Sequence, residues 1–114
     1  MVGEDTRFGV RNSGATAVDQ LVLVRFYGSG GTTGTAYMND GASTFTRSYS
    51  TNTWYHLELR NINWQLRTFD WYWDGVLQRT GAHFGGSGTS IGRIDLYDYY
   101  ASDSAYFDQI EFLP

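Results

Sequence analysis

"TFDWYWDGVLQ" (residues 68–78) sets three aromatic rings in a row between two aspartates and then stops at a glycine. Read with a period of two, Phe69, Trp71 and Trp73 fall on one face of a strand, and Thr68, Asp70 and Tyr72 on the other. The stretch before it, "TWYHLELRNI" (53–62), alternates in the same way. Tyr55, Leu57 and Leu59 share one side, and Trp54, His56, Glu58 and Arg60 the other. Joined as a hairpin, the two apolar sets make one inner face. Trp71 and Trp73 are therefore expected in a core, each burying about 150–250 Å², and Tyr72 is expected to be exposed. One register of this hairpin would set Glu58 opposite Asp70. The other, shifted by two residues, sets Arg60 opposite Asp70 and Glu58 opposite Tyr72, with Trp64 at the tip of the loop. Like charges directly opposite destabilise a ladder and opposite charges support it, so the second register is expected.

The same period runs outward in both directions. It marks strands at 7–12, 19–28, 35–39, 43–49, 53–62, 66–74, 76–80, 90–98 and 104–113, and no helical pattern competes with it. Between them lie "GSGGTTG" (28–34), Asp40-Gly41, "STNT" (50–53), Asp74-Gly75, "FGGSG" (84–88) and "YYASDS" (99–104), rich in residues that tolerate positive φ or close side-chain turns. "LVLVRF" (21–26) is apolar on both faces, which predicts a central strand covered on both sides.

Composition agrees with an all-β chain. Its 114 residues suit one domain; aromatic residues reach 18%, there are 14 glycines, and the single proline is Pro114. The net charge is −4, and the eight basic residues are all arginines scattered along the sequence, so no basic stripe is built for nucleic acid. No apolar run approaches the roughly 20 residues of a membrane-spanning helix. Met1 is followed by Val-Gly-Glu-Asp rather than a leader pattern, so a soluble chain with no membrane insertion is expected. Without cysteine there is no disulfide, thiolate metal site or thiol nucleophile.

From residue 53 onward, "TWYHLELRNINW", "TFDWYWDG", "SIGRIDLYD" (90–98) and "AYFDQIEF" (105–112) follow one another in an order that resembles the laminin-G-like branch of the concanavalin A-like lectin and glucanase superfamily. Trp54, His56, Asp74, Gly75, Phe107, Asp108, Ile110 and Phe112 are the matching positions. The resemblance implies a two-sheet antiparallel β-sandwich of jelly-roll type, in a group made chiefly of carbohydrate-binding, adhesive or extracellular structural modules and sometimes glycosidases. Domains of that kind are usually longer and carry additional N-terminal strands. This chain is therefore either a compact version or one whose edge strands are left open, and an open edge invites self-association with another chain.

The chemistry is weighed on the same residues. The catalytic carboxylate run of the superfamily's glucanases, Glu-x-Asp-x-x-Glu, does not occur. The nearest pair is Glu58 with Asp70, and a retaining glycosidase needs its two carboxyls about 5–5.5 Å apart with one protonated near neutral pH. Arg60 beside them would hold both ionised. Neither His56 nor His83 accompanies a G-x-S-x-G nucleophile elbow. "RIDLYDYYASDSAYFDQ" (93–109) carries Asp95, Asp98, Asp103 and Asp108, and with Asn39 and Asp40 these are hard oxygen donors of the sort that suit a structural calcium ion. The resemblance singles out Asp108 as the metal position; the competing reading has the aspartates capping turns. No other cofactor is called for.

The candidate ligand-binding residues are Trp54, His56, Glu58, Arg60, Asp70 and Tyr72, with Tyr97 and Tyr99 as further aromatic positions. Tyr72 is expected to stack a sugar ring while Arg60, Glu58 and Asp70 hydrogen-bond its hydroxyls. The leading expectation is a non-catalytic module that binds a glycan or polysaccharide, or mediates adhesion, outside the cell or on a particle surface. The rivals are a structural subunit joined through open edge strands and, behind both, a small glycoside hydrolase.

Overall fold

Alternation along residues 68–73 places Phe69, Trp71 and Trp73 in the interior, with at most 1% of each exposed. The computed structural model describes residues 4–14, 16–28, 31–41, 43–98 and 105–111. Its strands are β1 (Glu4–Arg11), β2 (Gln20–Gly28), β3 (Thr33–Asn39), β4 (Thr44–Ser50), β5 (Leu57–Asn63), β6 (Thr68–Trp73), β7 (Val76–His83) and β8 (Arg93–Asp98), with one 3₁₀ turn at Ala17–Asp19. They form two antiparallel sheets, a five-stranded one in the order β4-β3-β2-β1-β8 and a three-stranded one in the order β5-β6-β7. The sheets pack face to face, so the fold is all-β, as the alternation predicts, and a two-sheet antiparallel sandwich, as expected. Each sheet is built as a meander, and β8 returns to lie beside β1. Among the described residues no helix is long and apolar enough to cross a membrane.

The β5–β6 hairpin has the register expected from its charges. Leu57 faces Trp73, Glu58 faces Tyr72, Leu59 faces Trp71 and Arg60 faces Asp70. Trp64 stands in the connecting turn, and its ring folds back to stack on Phe84 at 4.6 Å and 14°. Asp74 (φ 49°) and Gly75 (φ 78°) are both left-handed and make a two-residue connection between β6 and β7. Both residues at positive φ match the type I′ turn, whose twist suits that of the flanking strands.

The core is made where β6 lies across the five-stranded sheet. Trp71 packs edge-on against Phe45 of β4 at 6.2 Å, and Trp73 meets Phe26 of β2 at 5.9 Å and Tyr55 at 4.8 Å. Val10, Val22, Val24, Ala36 and Met38 complete the buried surface beneath them. Glycine at position 34 has a reason in this packing. A Cβ there would come within 2.6 Å of the Tyr49 ring and 2.5 Å of the Tyr27 carbonyl oxygen. Arg47 points inward from edge strand β4, 5.3 Å over the Trp73 ring, and donates to Gln78 Oε1 at 2.8 Å. An inward-pointing charge of this kind blunts a sheet edge against further pairing.

Three expectations are corrected. β2 is the middle strand of the five, as "LVLVRF" predicts, but among the described residues no second layer covers its outer face at Arg25 and Tyr27. Arg25 stands there half-buried and Tyr27 exposed, because Asp5 of β1 supplies a charged partner where apolar cover was expected. The strand expected from residue 53 begins only at Leu57, since the His56 N–H is taken by the Asp74 carboxylate at 2.8 Å rather than by a ladder carbonyl. The strand expected at 104–113 does not form over the described residues 105–111. Gln109 lies at φ 50°, which breaks the extended run, and no strand of either sheet pairs with it.

Candidate functional site

Segment 53–56 enters the three-stranded sheet pinned at two points. The Tyr55 ring lies on Trp73, and its hydroxyl accepts the Ser50 N–H at 2.7 Å. Across from it, Asp74 accepts the His56 N–H through Oδ1 and donates its own N–H to the His56 carbonyl, both at 2.8 Å. With Tyr55 turned in, alternation turns its neighbours out. Trp54 is 67% exposed and His56 is exposed beside it.

Trp54, Tyr55, His56, Asp74, Asp108 and Gln109 line a shallow cleft of about 370 Å³. Asp108 and Gln109 come to it from the C-terminal segment, where Asp108 Oδ1 accepts the Gln109 N–H at 2.8 Å. One indole face is thus set among two carboxylates, an imidazole and a carboxamide. Such a surface can stack on an apolar ring face and hydrogen-bond hydroxyls around its rim.

The outward strip of the hairpin continues from this cleft. Glu58 is its hub: Oε2 accepts from Arg60 Nε at 2.6 Å, Oε1 from Arg60 Nη2 at 3.0 Å, and His56 Nε2 lies 3.0 Å from Oε1. The Arg60 hydrogen bond, reinforced by the charges of Arg60 and His56, outweighs desolvation and holds the Glu58 carboxyl below its ordinary range. Asp70 faces Arg60 in the ladder yet bonds elsewhere. It accepts from Asn61 Nδ2 and from the Gly81 N–H, both at 2.9 Å, and these lower its pKa in that order. Both carboxyls are therefore held ionised at neutral pH, and neither is tuned as a general acid.

Tyr72 is half-buried rather than exposed, because the Arg60 guanidinium lies 4.1 Å from its ring centre. Tyr97 projects from the outer face of the five-stranded sheet, opposite Arg7, and so stands on the other side of the sandwich from the strip. Tyr99 lies outside the described residues. The structure accordingly brings Trp54, His56, Glu58, Arg60, Asp70, Tyr72 and Asp108 to one side of the molecule.

The aspartates considered for calcium are dispersed. Asp95 is held by Arg11 and Arg93, Asp98 accepts the Thr6 hydroxyl at 2.6 Å, and Asp40 accepts the Ser43 N–H at 2.7 Å. Asp103 lies outside the described residues. Among the described residues no three histidine, aspartate or glutamate side chains gather as a metal-binding group.

Two cleft residues carry no ligand signal in the sequence itself. Asp74 reads there as a turn and as a position of the resemblance, not as a ligand contact, although the hairpin register that sets Leu57 against Trp73 already places His56 next to it. Gln109 has no signal at all, since its position depends on a segment that pairs with neither sheet. No protein-family profile, no curated protein and no solved structure matches this chain.

Proposed function

We propose that the chain is a non-catalytic carbohydrate-binding or adhesion module, acting outside the cell or on a particle surface, with the Trp54 cleft as its ligand site. The carrying observation is Trp54 itself. A tryptophan two-thirds exposed contributes little to the core, and it stands among side chains that donate and accept hydrogen bonds in several directions. That pairing of a flat apolar face with a polar rim suits a pyranose ring. Glu58 and Arg60 extend the polar surface along β5, which suits a chain of sugars rather than a single residue. The resemblance carried by Trp54, His56, Asp74 and Asp108 supports the same reading, and Asp108 is the position at which a calcium ion would join the site.

A glycan array probed with the full chain, in calcium and in EDTA, tests the proposal. Binding to a saccharide set that Trp54→Ala abolishes is the expected result. Wild-type and Trp54→Ala chains that give the same pattern, or no binding at all, would overturn it.

A second reading has one observation in its favour. Tyr106 is 83% and Ile110 48% exposed in the unpaired C-terminal segment, and Ile110 lines an apolar recess of about 300 Å³ with Ile91 and Ile94 next to β8. A structural subunit joined to its neighbours through this edge would cover those side chains. Light scattering across protein concentration separates the two: a monomer supports the binding module, and growth into large species supports the subunit.

A further inference from the structure

Two like-charged pairs stand directly opposite one another on the outer face of the five-stranded sheet. Arg7 of β1 faces Arg25 of β2, and Arg11 of β1 faces Arg93 of β8. Such pairs destabilise a ladder unless something is placed between them. In both cases the something is a single aspartate. Asp5 takes Arg7 through Nε at 3.1 Å and Nη2 at 2.8 Å, and Arg25 through Nε at 3.4 Å and Nη2 at 2.8 Å. Asp95 takes Arg11 Nε at 2.9 Å, with Arg93 at 2.8 Å through Nε and 3.1 Å through Nη2.

The Asp5 triad therefore keeps one positive charge in excess, whereas the charges of Arg11 and Arg93 also act on the Asp19 carboxylate, which offsets the excess of the Asp95 triad. Four of the eight arginines stand at outward positions of this sheet against two of the twelve acidic residues, in a chain whose net charge is −4. The face is locally opposite in sign to the molecule. The Nη1 groups of Arg25 and Arg93 make no hydrogen bond among the described residues, and side-chain exposures of 32% and 42% leave both open to a ligand.

Rings accompany the charges. Tyr97 lies 5.9 Å from the Arg7 guanidinium and Tyr27 5.5 Å from that of Arg25, and Tyr27 meets Tyr37 edge-on at 6.3 Å. The register sets Tyr97, Arg7, Arg25 and Tyr37 in one row across four strands. Next to them the same face carries facing pairs of hydroxyl and amide groups, Thr35 with Ser48 and Asn39 with Thr44. Gly9 lies between the triads and adds no side chain, so the path along β1 from Arg7 to Arg11, about 13 Å at strand rise, is bordered there only by Leu23 and Asp95 of the neighbouring strands.

We propose that this face is a second ligand surface, which binds a uronate-rich polysaccharide laid along β1, with sugar carboxylates at the two triads and ring faces against Tyr27 and Tyr97. The planar guanidinium fork matches a carboxylate, as Asp5 and Asp95 already demonstrate within the protein. Tyrosines and hydroxyl pairs suit a polyhydroxylated chain better than a peptide. The surface lies on the opposite side of the sandwich from the Trp54 cleft, and the two bind independently.

The test is biolayer interferometry of the full chain on immobilised polygalacturonate, dextran sulfate, neutral dextran and poly-aspartate, at low and moderate salt. Polygalacturonate is expected to bind, more weakly as salt rises, and more tightly than poly-aspartate or neutral dextran. Arg25→Gln combined with Arg93→Gln should weaken it at least tenfold. Arg93→Gln alone, which leaves Asp95 its Arg11 partner, should weaken it measurably without loss of fold, and Trp54→Ala should leave it unchanged. Tighter binding of dextran sulfate would move the ligand from carboxylate to sulfate and overturn the uronate assignment. Equal or tighter binding of poly-aspartate would point to an acidic peptide partner and overturn it as well. No binding at low salt, arginine variants that bind like wild type, or loss of binding in Trp54→Ala would each overturn the second surface.

Discussion

Arg60 lies with its guanidinium 4.1 Å from the ring centre of Tyr72 while its Nε and Nη2 grip both carboxylate oxygens of Glu58. The ring therefore serves as the floor on which the cation rests. A ligand that travels along this strip meets Arg60 and Glu58 before it meets that face of Tyr72. Tyr72→Leu is thus expected to loosen Arg60, visible as faster side-chain motion by NMR, while ligand affinity at the Trp54 cleft stays at the wild-type level.

Burial separates two tryptophans that look alike in sequence. Trp71 is fully buried against Phe45 and Phe69, whereas Trp54 is 67% exposed. Trp71→Ala should cost about 3–5 kcal/mol of stability. Trp54→Ala should change it by about 0.5 kcal/mol at most. Urea unfolding followed by far-ultraviolet circular dichroism measures both.

Backbone geometry and packing give two glycines different reasons to be irreplaceable. A methyl group at Gly75 would meet only open space, but the φ there is 78°, so Gly75→Ala should cost about 1–2 kcal/mol through backbone strain. Gly34 is held by contact with the Tyr49 ring, so Gly34→Ala should cost about 1–3 kcal/mol through overpacking. In urea unfolding, a compensating Tyr49→Leu should recover part of the loss at Gly34 and none at Gly75.

Acid should weaken the fold in a defined window. Burial would raise the Asp5 carboxyl, but hydrogen bonds from Arg7 and Arg25 outweigh it and hold Asp5 below its ordinary range; Arg93, then Arg11, do the same for Asp95. Glu58 and Asp70 are lowered as well. A carboxyl with a depressed pKa in the folded state takes up protons less readily than the unfolded chain does. Its stabilisation is complete above the unfolded values, near 4, and is lost as pH falls through the folded ones. Thermal unfolding midpoints should stay level from about pH 7 to 5 as regards these groups and fall steeply below about pH 4. Arg25→Gln should lower the midpoint at neutral pH and make that fall smaller, because Asp5 with one guanidinium instead of two has a folded-state pKa nearer its unfolded one.

Much of the fold is legible in the sequence because its deciding residues obey a period of two. The alternation of 53–62 and 68–73 defines the inner face, and the like-charge cost of Glu58 against Asp70 chooses the register. What alternation does not show is which group occupies an outward position. "LVLVRF" reads as doubly apolar up to Arg25, and only the arrival of Asp5 from another strand explains how that arginine is accommodated. The C-terminal run "AYFDQIEF" has strand-like alternation, but its described residues 105–111 pair with no strand among the described residues, so their local preference is not realised. For the same reason Gln109 joins the cleft without any sequence signal, whereas the place of Asp74 follows from the register of the β5–β6 hairpin.

The most direct measurement is calorimetric titration of the strongest neutral glycan from the array into wild-type protein, Trp54→Ala and Gln109→Ala, with unfolding curves taken on the same samples. Loss of binding in Trp54→Ala, a weaker but measurable affinity in Gln109→Ala, and unchanged stability in both are expected if the cleft is the ligand site. Wild-type affinity in the folded Trp54→Ala protein would contradict it.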